Sequence, residues 1–498
     1  MPAAIPAIAA AAFAAASGTV VFGLSVALSA VVIGLGTFAL NTLSASLAPK
    51  PKAMDFGDLS SSRTTQVKQP ITERRVVYGE CKVSGPINYY GSTSDNKYLH
   101  IVITLATHQC NALGTTWFND EPIHPEYLDS GGNVITGKYA GKARLKKHLG
   151  QQGQIVDSDL LAEIAEITSN FVGNEITYLY ARLEKDDALY KAGLPNIQQW
   201  TQGALVYDPR TATSYWTPNS ALCVRDYMTN TRYGVSERAS KFPDANVTAV
   251  ANSCEEFVAT KALSHTVTQF PGNNTIQLNT DLLQFQTGDR VQLTTQGSLP
   301  SGLSTGTNYY VIVWQQVPET TISDGVKIKL ASSYLNALAG TAVAISGSGS
   351  GQCTVTKNAE PRYTCNGTLG TAQTPRQNVS DLLTSMAGDL MPLGGKWIMK
   401  AGVWVEPTVT ITEDDLCGPI ERTTKRSRRD RFNAVQGLYV TPVNFGEPGD
   451  YPLVKDATYL TEDGGELVIG QFDLPFTSRA QMAQRVGRVK LNQHRRQR

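Results

Sequence analysis

A chain of 498 residues has room for two to four domains with real hydrophobic cores, at about 100 to 200 residues each, so it needs no disulfide or metal staple. Its 44 lysines and arginines stand against 43 aspartates and glutamates. That balance excludes a global attraction to nucleic acid, acidic polymer or anionic membrane and leaves only local patches.

The seven cysteines (Cys81, Cys110, Cys223, Cys254, Cys353, Cys365 and Cys417) are odd in number, with no CxxC pair and no zinc-ligand spacing. They read as mostly buried thiols of a protein made in a reducing cytoplasm. The six histidines form neither HExxH nor HxxxH. No metal and no cofactor are expected.

Everything before Lys50 is uncharged, and Gly18 to Leu40, GTVVFGLSVALSAVVIGLGTFAL, carries 23 apolar or small residues. About 20 suffice to cross a bilayer core as a helix. Gly18, Val20, Phe22, Leu24, Leu28, Val31, Ile33, Leu35, Phe38 and Leu40 are the candidate membrane or lumen residues. A secretory signal fits less well, because the charged n-region is missing and the apolar part is longer than usual. Small residues recur four apart at Ser25 and Ser29 and at Ala30 and Gly34, a spacing that lets helices approach closely in lipid or in a dry bundle. A buried Ala-rich core helix is the plainer alternative. Residues 51–70 lack any period and read as an extended strap.

From Arg74 the chain turns strand-like, in RRVVYGECKVSG and KYLHIVITLATH. A helical interruption is expected over GKARLKKHLG and SDLLAEIAEIT, the second with Ser158 as N-cap and with Leu161, Ile164 and Ile167 on one face. Strands resume at EITYLYARLEKD and GALVYDP. Two helices are expected over NSALCVRDYMTN, with Ala221, Val224 and Met228 near one side, and over FPDANVTAVANSCEEFVA. In the TRYG join between them, Gly234 is expected to supply a permissive backbone.

Residues 263–355 carry few charges and short β-runs such as DRVQLTT, NYYVIVW and VKIKLAS, so they read as a separate inserted module. A further helix fits RQNVSDLLTSMAGDL, where Val379, Leu382, Leu383 and Met386 make one stripe, followed by a hairpin-like GGKWIMKAGVWVEP. The chain closes on SRAQMAQRVGRVKLNQHRRQR, a basic helix. The class is α+β, mainly β. The expected division is 1–49 apolar helix, 50–72 linker, 73–215 first β-domain with its helical interruption, 216–262 with 356–412 a helix-containing domain, 263–355 an all-β insert, and 413–498 a further β-domain.

Four segments in order, NSALCVRDYMTNTRYGV, EPRYTCNGTLGTAQTPRQNVSDLLTSMAGDLMPLGGKWIMKAG, DRFNAVQGLYV and DLPFTSRAQMAQRVGRVKL, resemble the lambda-type tail tip attachment (host-specificity) proteins, the central tail hubs of long-tailed bacteriophages. The resemblance covers roughly residues 70–260 and 356–498. It implies a homotrimer of β-barrel-like hub domains at the distal end of a tail tube, with DNA passing through the lumen. The implied partners are tail tip and tail tube proteins, a tail fibre, and a host receptor reached through distal parts; the insert would sit on the outer surface. The apolar start departs from the family pattern. Its expected role is a lumen plug or a helix that enters the host membrane. A protein of another class, a single-span membrane-anchored β-domain binding protein, is the alternative.

The run ERTTKRSRRDR presents Arg422, Lys425, Arg426, Arg428, Arg429 and Arg431 as candidate DNA or subunit contacts. Asp430 and Glu421 dilute it, and no aromatic residues interleave for base stacking, so a solvated face or a salt-bridged subunit edge is the plainer reading. The acidic runs Glu413–Asp415 and Glu184–Asp187 sit in turn-like contexts. GxSxG, Cys-His and phosphate-loop frames are all missing, so no catalysis is expected.

Overall fold

The computed structural model describes residues 72–190, 193–280, 284–313, 326–407, 409–410, 412–415, 417–418, 431–441 and 447–496. The apolar segment Gly18 to Leu40, and Arg422, Lys425, Arg426, Arg428 and Arg429, lie outside these residues. Among the described residues no helix is long and apolar enough to cross a membrane. The fold is mainly β, with a few helices and one closed barrel.

Alternation builds the first core. Tyr98–Ala106 lies inside an antiparallel sheet in the order Ile87–Thr93, Tyr98–Ala106, Thr177–Glu184, Ala143–Leu149. Ile101, Ile103 and Leu105 point to one side, where they meet Leu179, Ala181, Leu183 and Leu145. A second sheet, centred on Ile197–Asp208 with Glu80–Val83, Cys110–Phe118 and Thr213–Trp216 as neighbours, adds Cys81, Val83, Phe118 and Ile197 to that core.

The segment GKARLKKHLG is not helical but forms the strand Ala143–Leu149. Ala143 and Leu145 enter the core, while Arg144, Lys146 and His148 face the other way and meet Asp159 and Glu163, Asp159, and Asp157 respectively. Basic side chains with acidic partners hid a period of two. Those acids belong to the short helix Ser158–Glu163, whose N-cap is Asp157 rather than Ser158: its carboxylate accepts from the amides of Asp159 and Leu160. Leu160, Ile164 and Ile167 pack on the sheet, and Leu161 is exposed.

A larger core gathers the helices Ser220–Thr229, Asp244–Glu255, Pro375–Thr384 and Ala480–Arg496. Asn219 caps the first of these through the amides of Ala221 and Leu222, and Ala221, Val224 and Met228 are buried. Val379, Leu382, Leu383 and Met386 all face this core, as their spacing predicts. The hairpin beside them pairs Asp389–Leu393 with Lys396–Lys400 across Gly394 and Gly395, both at positive φ. Those glycines are therefore the turn, as a two-residue hairpin loop requires, and the first strand begins at Asp389 and Leu390, the two residues read as the end of the helix. Buried thiols line the same core, and burial pushes Cys254 up to about 12. All seven cysteines are free, with Cys417 exposed.

The barrel closes through six antiparallel strands in the order Phe257–Gly272, Thr275–Leu278, Lys327–Ala331, Tyr309–Val313, Arg290–Thr295, Cys353–Pro361, the last pairing with the first. Ile276, Leu293, Val311, Ile328, Leu330 and Val355 fill it. Phe257 opposes Pro361, so the chain enters and leaves the barrel side by side.

Tyr233 of the TRYG join packs against the carboxylate of Asp226 on the preceding helix. Tyr78 and Tyr233 each donate a hydroxyl hydrogen bond to Asp226, at 2.6 and 2.8 Å. Burial raises the Asp226 carboxyl despite these donors. Gly234 is needed here for close approach rather than for a left-handed backbone: a Cβ would lie 2.0 Å from the Tyr227 carbonyl oxygen. Gly234→Ala should therefore destabilise the protein by about 1–3 kcal/mol, the usual range for overpacking, as read by chemical denaturation.

Candidate functional site: the charged joint between barrel and body

Where the barrel meets the rest of the fold, buried charges pair across the junction. Asp289, just ahead of the strand Arg290–Thr295, is fully buried. An isolated carboxylate there would be very costly, so it must be paired. Its two oxygens take Arg479 at 2.5 Å and Lys357 at 2.9 Å. Arg479 comes from the turn that opens the C-terminal helix, and it also donates to the Thr287 carbonyl at 3.3 Å.

Lys357, on the last barrel strand, reaches Glu360 at 2.9 Å, and Glu360 takes Arg485 of the C-terminal helix at 2.8 Å. Burial alone would raise the Glu360 carboxyl; Lys357, Arg479 and Arg485 together hold it below the ordinary value. Burial likewise disfavours the Arg479 cation, but Asp289 and Glu360 raise it above the usual guanidinium range. The chain of pairs Arg479, Asp289, Lys357, Glu360, Arg485 alternates in sign from end to end.

A neutral clasp lies beside the ions. Gln286 donates to the Ser478 carbonyl at 2.7 Å and accepts from its hydroxyl at 2.9 Å. Asn366 donates to that same hydroxyl at 2.7 Å and accepts from the Glu80 amide at 3.0 Å. The Glu80 carboxylate accepts from the Thr287 hydroxyl at 3.3 Å. Burial pushes this carboxyl up to about 7, with Arg479 and Thr287 opposing and Asp289 adding to the rise. Glu80, Lys82, Trp200, Phe285 and Gln286 line a cavity of about 30 Å³, the space of a water molecule or two. Lys327 adds an outer tie to Glu126 at 3.2 Å.

This arrangement suits positioning: it fixes a module's orientation through directional contacts. Arg479 and Arg485 lie in the basic C-terminal segment, but nothing in the sequence pointed to barrel partners for them. The available signal was Asp289 itself, a carboxylate in a block with few charges.

Of the candidate contact cations, Arg431 is described, with Nη2 3.5 Å from Asp463. Asp463 also holds Arg495 at 2.9 Å. The basic helix is similarly engaged by the chain's own acids, Arg485 by Glu360 and Arg488 by Asp456 at 2.6 Å. Of the two acidic runs, Glu413–Asp415 forms a 3-10 turn in which Asp415 accepts from Thr412, and Glu184 ends the strand Thr177–Glu184 and pairs with Lys142, with Asp186 beyond it accepting from the Ala188 amide.

No protein-family model matches this chain, and no curated protein matches it. Among solved structures, a chain described as "Virion of native gene transfer agent (GTA) particle" is similar with a TM-score of 0.43 and 11% identity, over 95% of this chain and 85% of that chain. A likeness of that degree transfers neither fold nor role.

Arg479→Leu leaves Asp289 buried with one cation instead of two, and should cost about 3–5 kcal/mol. Adding Asp289→Asn should recover part of the loss. A double-mutant cycle by chemical denaturation checks this, since strictly additive effects would show that the pair is not coupled.

Proposed function

We propose that the chain is a structural virion protein, the trimeric central hub at the distal end of a long-tailed phage tail tube. The reading is supported by where the four family-like segments lie. Leu222, Cys223 and Tyr227 of the first, Tyr363, Cys365, Leu382 and Met386 of the second, Val435 of the third, and Leu474, Phe476, Met482 and Val486 of the fourth belong to one buried core. Segments up to about 260 residues apart thus make one body, as expected of motifs that specify a shared fold rather than separate chance matches.

In this reading the body closes the tube and supports host attachment and the passage of DNA. The barrel is an outward decoration mounted on the body through its charged joint, and the protein works mechanically, without catalysis. Tail tube and tail tip proteins, a fibre and, through distal parts, a host receptor are its partners. The segment Gly18 to Leu40 serves as a lumen plug or enters the host membrane on release.

Quantitative peptide mass spectrometry of purified particles tests the reading. A few copies of this chain per particle, far fewer than of the major tube protein, are expected. Absence from particles, with recovery in host membranes, would favour the membrane-anchored binding protein instead. Deleting residues 1–49 should impair tail closure or DNA delivery; if both survive intact, the proposed role of the apolar segment fails.

A further inference from the structure

Glu80 occupies an unusual place in the joint. Its strand Glu80–Val83 belongs to the body, yet its carboxylate is hydrogen-bonded to a barrel residue, Thr287. The charged groups facing it are Arg479 from the C-terminal segment and Asp289 from the barrel. Behind these stand Lys357 and Glu360 of the barrel and Arg485 of the helix. On its own strand, Lys82 lies with Nζ 5.3 Å from the Trp117 ring centroid.

The two cations of the joint's ion-pair chain that meet Asp289 have committed partners. Arg479 is held by Asp289 and the Thr287 carbonyl, and Lys357 by Asp289 and Glu360. The Glu80 carboxylate is therefore buried in the docked joint with no ion pair of its own among the described residues, and the adjoining cavity is small. Moving the barrel away would return this group to water.

We infer that Glu80 is a proton-operated latch, holding the barrel on the body more tightly when its carboxyl is protonated and loosening the joint when it ionises. This goes beyond the proposed virion role and does not depend on it. The sign follows from linkage. Burial in the docked joint pushes this carboxyl from its ordinary 4.5 up to about 7, so an opening that returns Glu80 to water releases a proton between those values. The contribution is fully present below the lower value and is lost as pH rises through the upper one.

Hydrogen–deuterium exchange of the full chain tests the latch. After correction for intrinsic exchange, protection of amides in 286–293 and 478–483 should fall by roughly 100-fold between pH 5 and pH 8. In Glu80→Gln, which stays neutral, protection should be flat across that range. A flat wild-type profile, or an undiminished slope in Glu80→Gln, would overturn the inference. Should Glu80→Gln not fold, Thr287→Val removes the hydroxyl that favours the charged form and must move the midpoint to higher pH. An unmoved midpoint would equally sink the latch.

Discussion

The carboxylate of Asp289 is removed from water, and much of the arrangement follows from what it then demands. One cation, Lys357, comes from within the barrel; the other, Arg479, comes from nearly two hundred residues further along the chain. Both can reach it in one orientation of barrel and body. Once Arg479 is seated, the helix that begins at Ala480 leaves in a fixed direction, which brings Arg485 to Glu360 and places Met482 and Val486 in the large core. Buried ion pairs add little net stability compared with apolar packing. What this one supplies is direction: an apolar seam of similar area would tolerate sliding, whereas a carboxylate with two cations does not.

The same geometry explains how a barrel can interrupt the body without dismantling it. The neighbouring register of Phe257 and Pro361 brings the two ends of the insertion together. The body then sees a short connection between the end of the Asp244–Glu255 helix and Tyr363, and the closure entropy of the long excursion is offset by the barrel's own core. Both flanks enter the large core at once, through Cys254 and Tyr363. Insert and host therefore solve separate packing problems and meet at a polar surface.

Legibility in the sequence followed burial on one face. Helices with an apolar stripe and a capping side chain, such as Ser220–Thr229 behind Asn219, could be read directly. So could strands rich in Val, Ile and Tyr. The strand Ala143–Leu149 could not, because both of its faces are satisfied, one by the core and one by the acids of a helix that follows it, and only the basic side was conspicuous. The hairpin at Gly394–Gly395 was read too far along the chain, since its first strand, Asp389–Leu393, is largely exposed and so lacks the one-sided apolar pattern that marks a strand. The joint was opaque for a deeper reason. Charges buried in pairs look in sequence like surface charges, and their partners lie on segments that only the folded topology brings together.

That last point bears on the basic character of the C-terminal helix. A phosphate backbone is attracted by cations that can exchange their counterions for it. Arg485, Arg488 and Arg495 have already exchanged theirs for Glu360, Asp456, and Asp463 with Glu462. Binding a phosphate would strand those acids, two of them substantially buried, and each such loss would cancel much of the gain. The helix is thus a brace, with its apolar face in the core and its arginines pinning the barrel, the Asp456 turn and the Asp463 turn around it.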